Sequence, residues 1–471
     1  MALTRFHLLS DEEYNNARLL FLSIAEGTRE YPYLDTDIAR ANPTIGIGFN
    51  LAVETVLTAV LKDFGFDFDQ PDPNNQNEKF QHAIDVKSQK DIHKIVTKYY
   101  SPSSLHDHPQ NGTLRTNLDK IMTDRVTEMG KKSLGTEGAK TSFAYDSLEE
   151  MQGAFNSIVK TYETKLDIWL SGQKKGGFPG NLSKTNIGPV PFSRERIALF
   201  SLAFNTKDGK TSLLGKNLAT ALDNNNRAEA WYEIRYNSNG NKSGGIAKRR
   251  FAESSLFGLY EPESIWDDAD HAWYEEAKWI FAMVEDHREK ILQSEHKYQV
   301  NRIAADEEFA ELVTVKTFEE EIEDAKDRLV PSGVAESDVQ RIFSDVSSKA
   351  SFNQKTQITT IDVKKNTTVT IAGKKTVYQD DLILGSDGKD IIKARDGNDY
   401  LYGHDGDDTL EGGKGDDVYV GGEGKDILKD ELGGYDTYLY DSFSEGHDTI
   451  IDSDGKGQII LYDEYDTRSS S

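Results

Sequence analysis

Five consecutive nine-residue units constrain this chain more than any other feature. They read GSDGKDIIK, ARDGNDYLY, GHDGDDTLE, GGKGDDVYV and GGEGKDILK, and they run without a gap from Gly385 to Lys429. The fourth place is always glycine (Gly388, Gly397, Gly406, Gly415, Gly424) and the sixth always aspartate (Asp390, Asp399, Asp408, Asp417, Asp426). A large apolar residue holds the eighth place: Ile392, Leu401, Leu410, Tyr419, Leu428. Six residues suffice for a turn in which glycine takes angles other residues resist, and three for a short strand with one side chain inward. Stacked turns would set each sixth-place carboxylate beside neighbouring carbonyls, an all-oxygen environment suited to a hard cation. A flexible Gly/Asp-rich linker has no reason to keep an apolar residue in frame five times.

The pattern resembles the calcium-binding nonapeptide of RTX proteins, which stacks into a parallel β-roll. The resemblance implies Ca2+ as cofactor. The expected ligands are Asp387, Asp396 and Asp405 at the third place with Asp390, Asp399, Asp408, Asp417 and Asp426 at the sixth. It also implies an extracellular protein, secreted by a Gram-negative bacterium through type I secretion machinery without an N-terminal signal peptide.

Charge follows the repeats. The chain of 471 residues has a formal net charge of −26. Between Asp380 and Ser471 stand 25 acidic and 8 basic side chains, so the rest of the chain is only mildly acidic. Acidity therefore reports cation sites, and the absence of a basic stripe argues against nucleic acid as a partner. There is no cysteine, which excludes disulfides and thiolate chemistry. The first residues, MALTRFHLLSDEEYNNARLLFLSIAEG, lack a basic leader and read as an amphipathic helix. No run approaches the roughly 20 apolar residues of a membrane span.

Helical spacing of apolar residues recurs upstream of the repeats. It predicts helices over 11–25, 53–64, 147–170 (opened by the capping-box pattern SLEE), 194–204, 216–224, 227–236, 245–256 and 263–295. The alternation TIGIGF predicts a short strand or hairpin. Residues 65–145 are polar and read as an inserted region with helix at 118–129. Residues 296–356 read as a charged helical spacer, and 357–471 as strands leading into the β-roll and a segment that closes it, since terminal repeats must cover an edge. The ending YDEYDTRSSS is short for an export signal, so a truncated chain is expected.

Two further blocks point to a chemistry. The stretch EGTREYPYLDTDIARANPTIGIGFNL, Glu26 to Leu51, resembles phage-type lysozymes of glycoside hydrolase family 24. The segments RIALFSLAFNTKDGKTSLL and AWYEIRYNSNGNKSGGIAKRRFAESSLF are similar to the C-terminal lobe of that family. The likeness spans roughly residues 10–63 and 147–260. It implies a mainly α, two-lobe domain with a small β-hairpin over residues 1–295, followed by the all-β parallel β-roll. It also implies hydrolysis of the β-1,4 bond between N-acetylmuramic acid and N-acetylglucosamine, with bacterial peptidoglycan as substrate; an immunity protein is a further partner to expect, though no residue points to it.

The implied catalytic set is Glu26 as acid, Asp35 as the carboxylate opposite, and Thr44 as a holder of water. Glu26 to Asp35 matches the family spacing; the interval from Asp35 to Thr44 is longer, which leaves Asp37 as a rival carboxylate. Phe49 stands where the family has histidine. Arg249 and Arg250 are expected as helix-packing partners of Glu253 or as substrate contacts, Trp231 and Tyr232 as core, Asn205 as a structural hydrogen-bonding residue, and His93, His106 and His108 as surface residues. The alternative to a hydrolase is a non-catalytic cell-surface glycan-binding or adhesion protein of the RTX type.

Overall fold

The computed structural model describes residues 5–35, 42–99, 110–147, 149–171, 187–205, 214–238, 244–262, 269–300, 303, 309–327, 359–362, 367–371, 374–378, 380–385, 388–441 and 446–462. The chain folds as two compact units, Leu8–Leu214 and Met1–His7 with Gly215–Ser471.

In the first unit, helix α1 (Asp11–Glu26) begins at Ser10, which exchanges hydrogen bonds with Glu13 in a capping box. Three antiparallel strands follow, in the order β1 (Arg29–Asp35), β2 (Asn42–Gly46), β3 (Phe49–Asn50). Helix α2 (Glu54–Asp63) leads to α3 (Gln76–Tyr99) and α4 (Gln110–Lys131). The polar region 65–145 is thus built on two long helices, far more than the segment 118–129 expected. Its apolar residues are sparse; Ile92, Val96, Leu114, Leu118 and Met122 are buried, and Phe80 is exposed.

Helix α5 runs Gln152–Leu170. Its start lies five residues later than the SLEE pattern predicts, because a distant carboxylate supplies the cap. Asp63, at the end of α2, accepts from the N–H of Ala154 at 2.7 Å. The approach is so close that a Cβ on Gly153 would lie 2.2 Å from Asp63 Oδ1. Ser147 instead accepts from the Glu150 N–H at 3.1 Å, ahead of the helix. Helix α6 (Arg194–Phe204) is capped by Ser193 and buried almost throughout. Glu163 on α5 ties the helices together by accepting from Tyr14 and Arg18 of α1 and from Arg196 of α6.

The second unit begins with α7 (Lys216–Asp223), α8 (Arg227–Tyr232), a π-helical turn (Glu233–Asn237), α9 (Gly244–Phe257), α10 (Ala269–Tyr298) and α11 (Phe318–Asp327). Trp231 and Tyr232 are buried core residues, as expected. Arg249 and Arg250 are buried as well, and both donate to Glu253 within α9.

Strands then replace helices. Strand β4 (Thr359–Asp362) is followed by an antiparallel pair, β5 (Thr367–Ile371) and β6 (Lys374–Tyr378). The rest is a solenoid: β7 (Leu382–Leu384), β8 (Asp390–Asp396), β9 (Tyr400–Tyr402), β10 (Thr409–Lys414), β11 (Val418–Val420), β12 (Ile427–Asp430), β13 (Asp436–Asp441), β14 (Thr449–Asp452) and β15 (Gly457–Tyr462). Alternate strands enter two five-stranded parallel sheets, ordered β14-β12-β10-β8-β4 and β15-β13-β11-β9-β7. Between them lies a single column of buried side chains: Ile383, Ile392, Leu401, Leu410, Tyr419, Leu428 and Tyr438.

The segment after Lys429, expected to close the roll, instead continues both sheets. Thr437 pairs with Val418 and Thr449 with Ile427, so the turns are lengthened; Tyr438 keeps the inward place, while Ile450, opposite Leu428 on the edge strand β14, is exposed. The repeat also begins one unit early, since Asp381 and Ile383 occupy the sixth and eighth places of a unit whose fourth residue is Gln379.

One buried ion pair holds the two long helices of the first unit. Arg125 Nε lies 2.6 Å from Asp85 Oδ1, with both side chains essentially unexposed, and Arg125 also donates to the carbonyl of Gly65. Removing one partner strands the other charge, so Asp85→Ala should destabilise this unit by about 3–5 kcal/mol. Asp85→Leu with Arg125→Met should recover most of the loss. Urea unfolding of the three proteins checks this; a single variant as stable as wild type would contradict it.

Candidate metal centre

Each turn of the solenoid places the sixth-place aspartate under the previous coil. The Asp399 carboxylate accepts from the N–H of Asp381 at 2.6 Å, Asp417 from Asp399 at 2.8 Å, and Asp436 from Asp417 at 2.9 Å. A second ladder runs along the other turns: Asp408 accepts from Asp390 at 2.7 Å, Asp426 from Asp408 at 2.8 Å, and Asp448 from Asp426 at 2.9 Å. The fourth-place glycines let the coils come this close. Gly424 has φ of +145°, and a Cβ there would sit 1.8 Å from the carbonyl oxygen of Gly406.

Only one oxygen of each carboxylate is used in this way. The Oδ2 atoms of Asp399, Asp408, Asp417, Asp426, Asp436 and Asp448 are buried and receive no hydrogen bond. About nine in ten buried polar groups in folded proteins are paired, so a periodic row of bare carboxylate oxygens points to places for a cation. Main-chain carbonyls crowd the same turns. The donor set is all oxygen, as calcium requires, and contains no nitrogen or sulfur that would favour a softer metal. These residues fit Ca2+.

The protons tell the same story. Burial raises the carboxyls of Asp399 and Asp408 to about 8, Asp417 to about 9, Asp436 to about 7 and Asp426 to about 6, with neighbouring acids reinforcing the effect. The burial that raises these carboxyls disfavours an uncompensated charge in the folded solenoid.

The third-place acids differ. Asp396 is exposed and pairs with Lys414 at 3.1 Å, and Asp405 is exposed beside His404. Asp396 is near enough to the sixth-place Asp399 to help raise its carboxyl, and Asp387 lies outside the described residues. Asp390 shares the buried position of the other sixth-place residues. The sequence reading missed the fifth place. Asp380, Asn398, Asp407 and Asp416 accept from the N–H groups of Asn398, Asp416, Lys425 and Tyr435, all one coil later. The signal was present as an Asp or Asn at the fifth place of four of the six units from Thr376 to Lys429.

Residues 378–410 and 394–428 match the family model of the RTX calcium-binding nonapeptide repeat (4 copies). This segment is an RTX β-roll. No curated protein and no solved structure matches the chain. The C-terminal part of the chain therefore carries RTX calcium-binding repeats wound into a parallel solenoid.

The three residues of the expected catalytic set lie in the first unit. Glu26 is the last residue of α1 and partly buried. The hairpin tip rests on it: a Cβ on Gly48 would lie 3.2 Å from Glu26 Oε2, and Gly48 has φ of +68°. Thr44 is buried in β2, opposite Tyr33 and Asn50. Asp35 ends β1 opposite Asn42; its side chain, like the whole of Asp37, lies outside the described residues. Phe49 is buried in the hairpin and packs where a Cβ on Gly46 would stand. Of the three surface histidines expected, His93 is on α3, and His106 and His108 lie outside the described residues.

The raised carboxyls fix the sign of a pH effect. Unfolded aspartates titrate near 3.9, so between that value and the folded values of about 6 to 9 the folded solenoid binds more protons than the unfolded chain. Calcium-free stability is therefore present at low pH and lost as pH rises through the folded values, while calcium affinity rises over the same range. Hydrogen exchange of residues 390–441 in calcium-stripped buffer, corrected for intrinsic rate, should show protection at pH 5 that disappears by pH 9 and returns with millimolar calcium. Equal protection at both pH values without calcium would contradict the assignment.

Proposed function

We propose that the chain is a secreted, calcium-binding peptidoglycan hydrolase. Its first unit cleaves the glycan, and its RTX β-roll folds once the protein meets extracellular calcium. The observation that carries the hydrolase reading is the placement of Glu26. It ends a helix, its carboxyl touches the tip of a glycine hairpin, and the two strands that follow carry Asp35 and Thr44. This arrangement supports the resemblance to family 24 lysozymes in the sequence.

In this reading Glu26 protonates the departing glycosidic oxygen and Asp35 orients or deprotonates the water that attacks the sugar carbon. The Thr44 hydroxyl holds that water. The buried pairing of Arg249 and Arg250 with Glu253 supports a packing role for both. Among the described residues no helix is long and apolar enough to cross a membrane.

Glu26→Gln keeps the shape of the side chain but delivers no proton, so clearing of permeabilised Gram-negative cells should fall by about 10²-fold or more. A folded Glu26→Gln protein that clears cells like wild type would overturn the hydrolase reading. Loss of binding to purified peptidoglycan is not expected; binding with no cleavage by wild type would favour the adhesion alternative. Asp35→Asn should abolish cleavage and Asp37→Asn should cost little. The reverse ranking would move the second carboxylate to Asp37.

Export follows from calcium chemistry. Extracellular calcium modules bind with Kd of roughly 10⁻⁴–10⁻³ M, so micromolar calcium leaves the sites nearly empty and millimolar calcium fills them. Coupled sites make that difference a folding switch, with the roll unfolded during passage through type I machinery and folded outside. Circular dichroism of the whole chain should gain β signal when millimolar calcium replaces EGTA, with the helical signal retained. A spectrum indifferent to the chelator would end the export argument.

A further inference from the structure

We propose a second kind of cation site at the C-terminal end of the solenoid, formed by Asp430, Asp452 and Asp454 and suited to a hard divalent cation such as calcium. It lies beyond the matched repeats and uses neither their third nor their sixth places.

In the regular coils the first place of each unit is kept small. A Cβ on Gly412 would lie 2.1 Å from Asp417 Oδ2, and one on Gly421 would lie 2.5 Å from Asp426 Oδ2. Asp430 occupies that place in the next unit, at the end of β12, and one extra residue in the turn makes room for it. Its carboxylate is fully buried. Oδ1 accepts from the N–H groups of Leu432 at 3.1 Å and Gly433 at 3.2 Å, which fixes the group. Oδ2 is buried and receives no hydrogen bond.

One coil later the same device recurs. Asp452 stands directly opposite Asp430 in the parallel pairing of β12 with β14. Its Oδ1 accepts from Asp454 N–H at 3.1 Å and Gly455 N–H at 2.7 Å. Asp454 lies at the surface beside Gly433, whose Cβ would be 3.1 Å from Asp454 Oδ2. One oxygen from each of Asp430, Asp452 and Asp454 lies within 4.8 Å of the other two.

Calcium takes six to eight oxygens at about 2.3–2.6 Å, so ligands on opposite sides stand about 5 Å apart and all three carboxylates fit one coordination sphere. A fourth carboxylate, Asp436, faces Asp430 and has a bare buried Oδ2 of its own. The positive charge already present is Lys456, which bonds Asp454 Oδ2 at 2.9 Å from the exposed side and leaves Asp430 Oδ2 unbonded. A buried carboxylate oxygen that no donor reaches, on a residue grouped with two further acids, is a place for a cation. The repeat sites join one turn to the next through single sixth-place acids. This site would join the ends of two strands through a carboxylate trio and hold the last coil to the one before it.

Equilibrium dialysis of the full chain against radioactive calcium tests the site. Asp430→Asn keeps the bonds to Leu432 and Gly433 but removes the charge, and should lower saturating stoichiometry by one ion per chain. Asp454→Asn changes only a surface carboxylate and should weaken one ion by about tenfold without loss of fold. Asp417→Asn separates this site from the repeats: it should reduce binding in the repeats and leave the effects of Asp430→Asn and Asp454→Asn in place. If Asp430→Asn loses the coil, shown by hydrogen exchange of residues 449–462, Asp454→Asn alone decides. Stoichiometry and affinity unchanged by Asp454→Asn, or by a folded Asp430→Asn, would overturn the proposal.

Discussion

The β-roll depends on a carboxylate with one oxygen bonded and the other bare. The bonded oxygen of Asp417 takes the N–H of Asp399 and so fixes the rise from one coil to the next. The bare oxygen leaves a buried negative charge that must be neutralised by a proton or a cation. Both halves are needed. A fully bonded aspartate would fold without calcium, and a fully bare one would not define the coil. Between them they make a structure whose stability is a function of its ions.

The other unit rests on different physics. Its helices are held by long-range charge bonds in dry places, with Glu163 gathering Tyr14, Arg18 and Arg196, and Asp85 holding Arg125. Such groups are costly to bury and costlier to strand, so they fix which helix meets which. Glu26 ends a helix that this network anchors, which gives its carboxyl a fixed place beside the hairpin. The groups that hold this helix lie outside the β-roll.

Periodic features were legible in the sequence, and features made by distant partners were not. Ile392, Leu401 and Leu410 recur every nine residues, and that period alone gives the turn, the strand and the inward face. The unit at Asp381 escaped notice because Gln379 replaces its fourth-place glycine, although its sixth and eighth places are correct. The coils after Lys429 were hidden by longer turns, which break the spacing in sequence without breaking the pairing in space. Helix α5 shows the other limit. SLEE is a sound local signal, but Asp63 lies far back in the chain, and nothing local announces that it will cap Ala154. The candidate site divides the same way: the hairpin and the helix end are local and were read directly, while the burial of Thr44 and Phe49 depends on packing.

The close stacking at Gly424 and Gly406 has a consequence of its own. No side chain stands between successive turns there, so the main chain alone sets the repeat distance along the axis. The roll is a graduated rod whose markings cannot be compressed. Exposed third-place residues such as Lys414 and Glu423 can change the surface and its charge while the interval between coils stays the same.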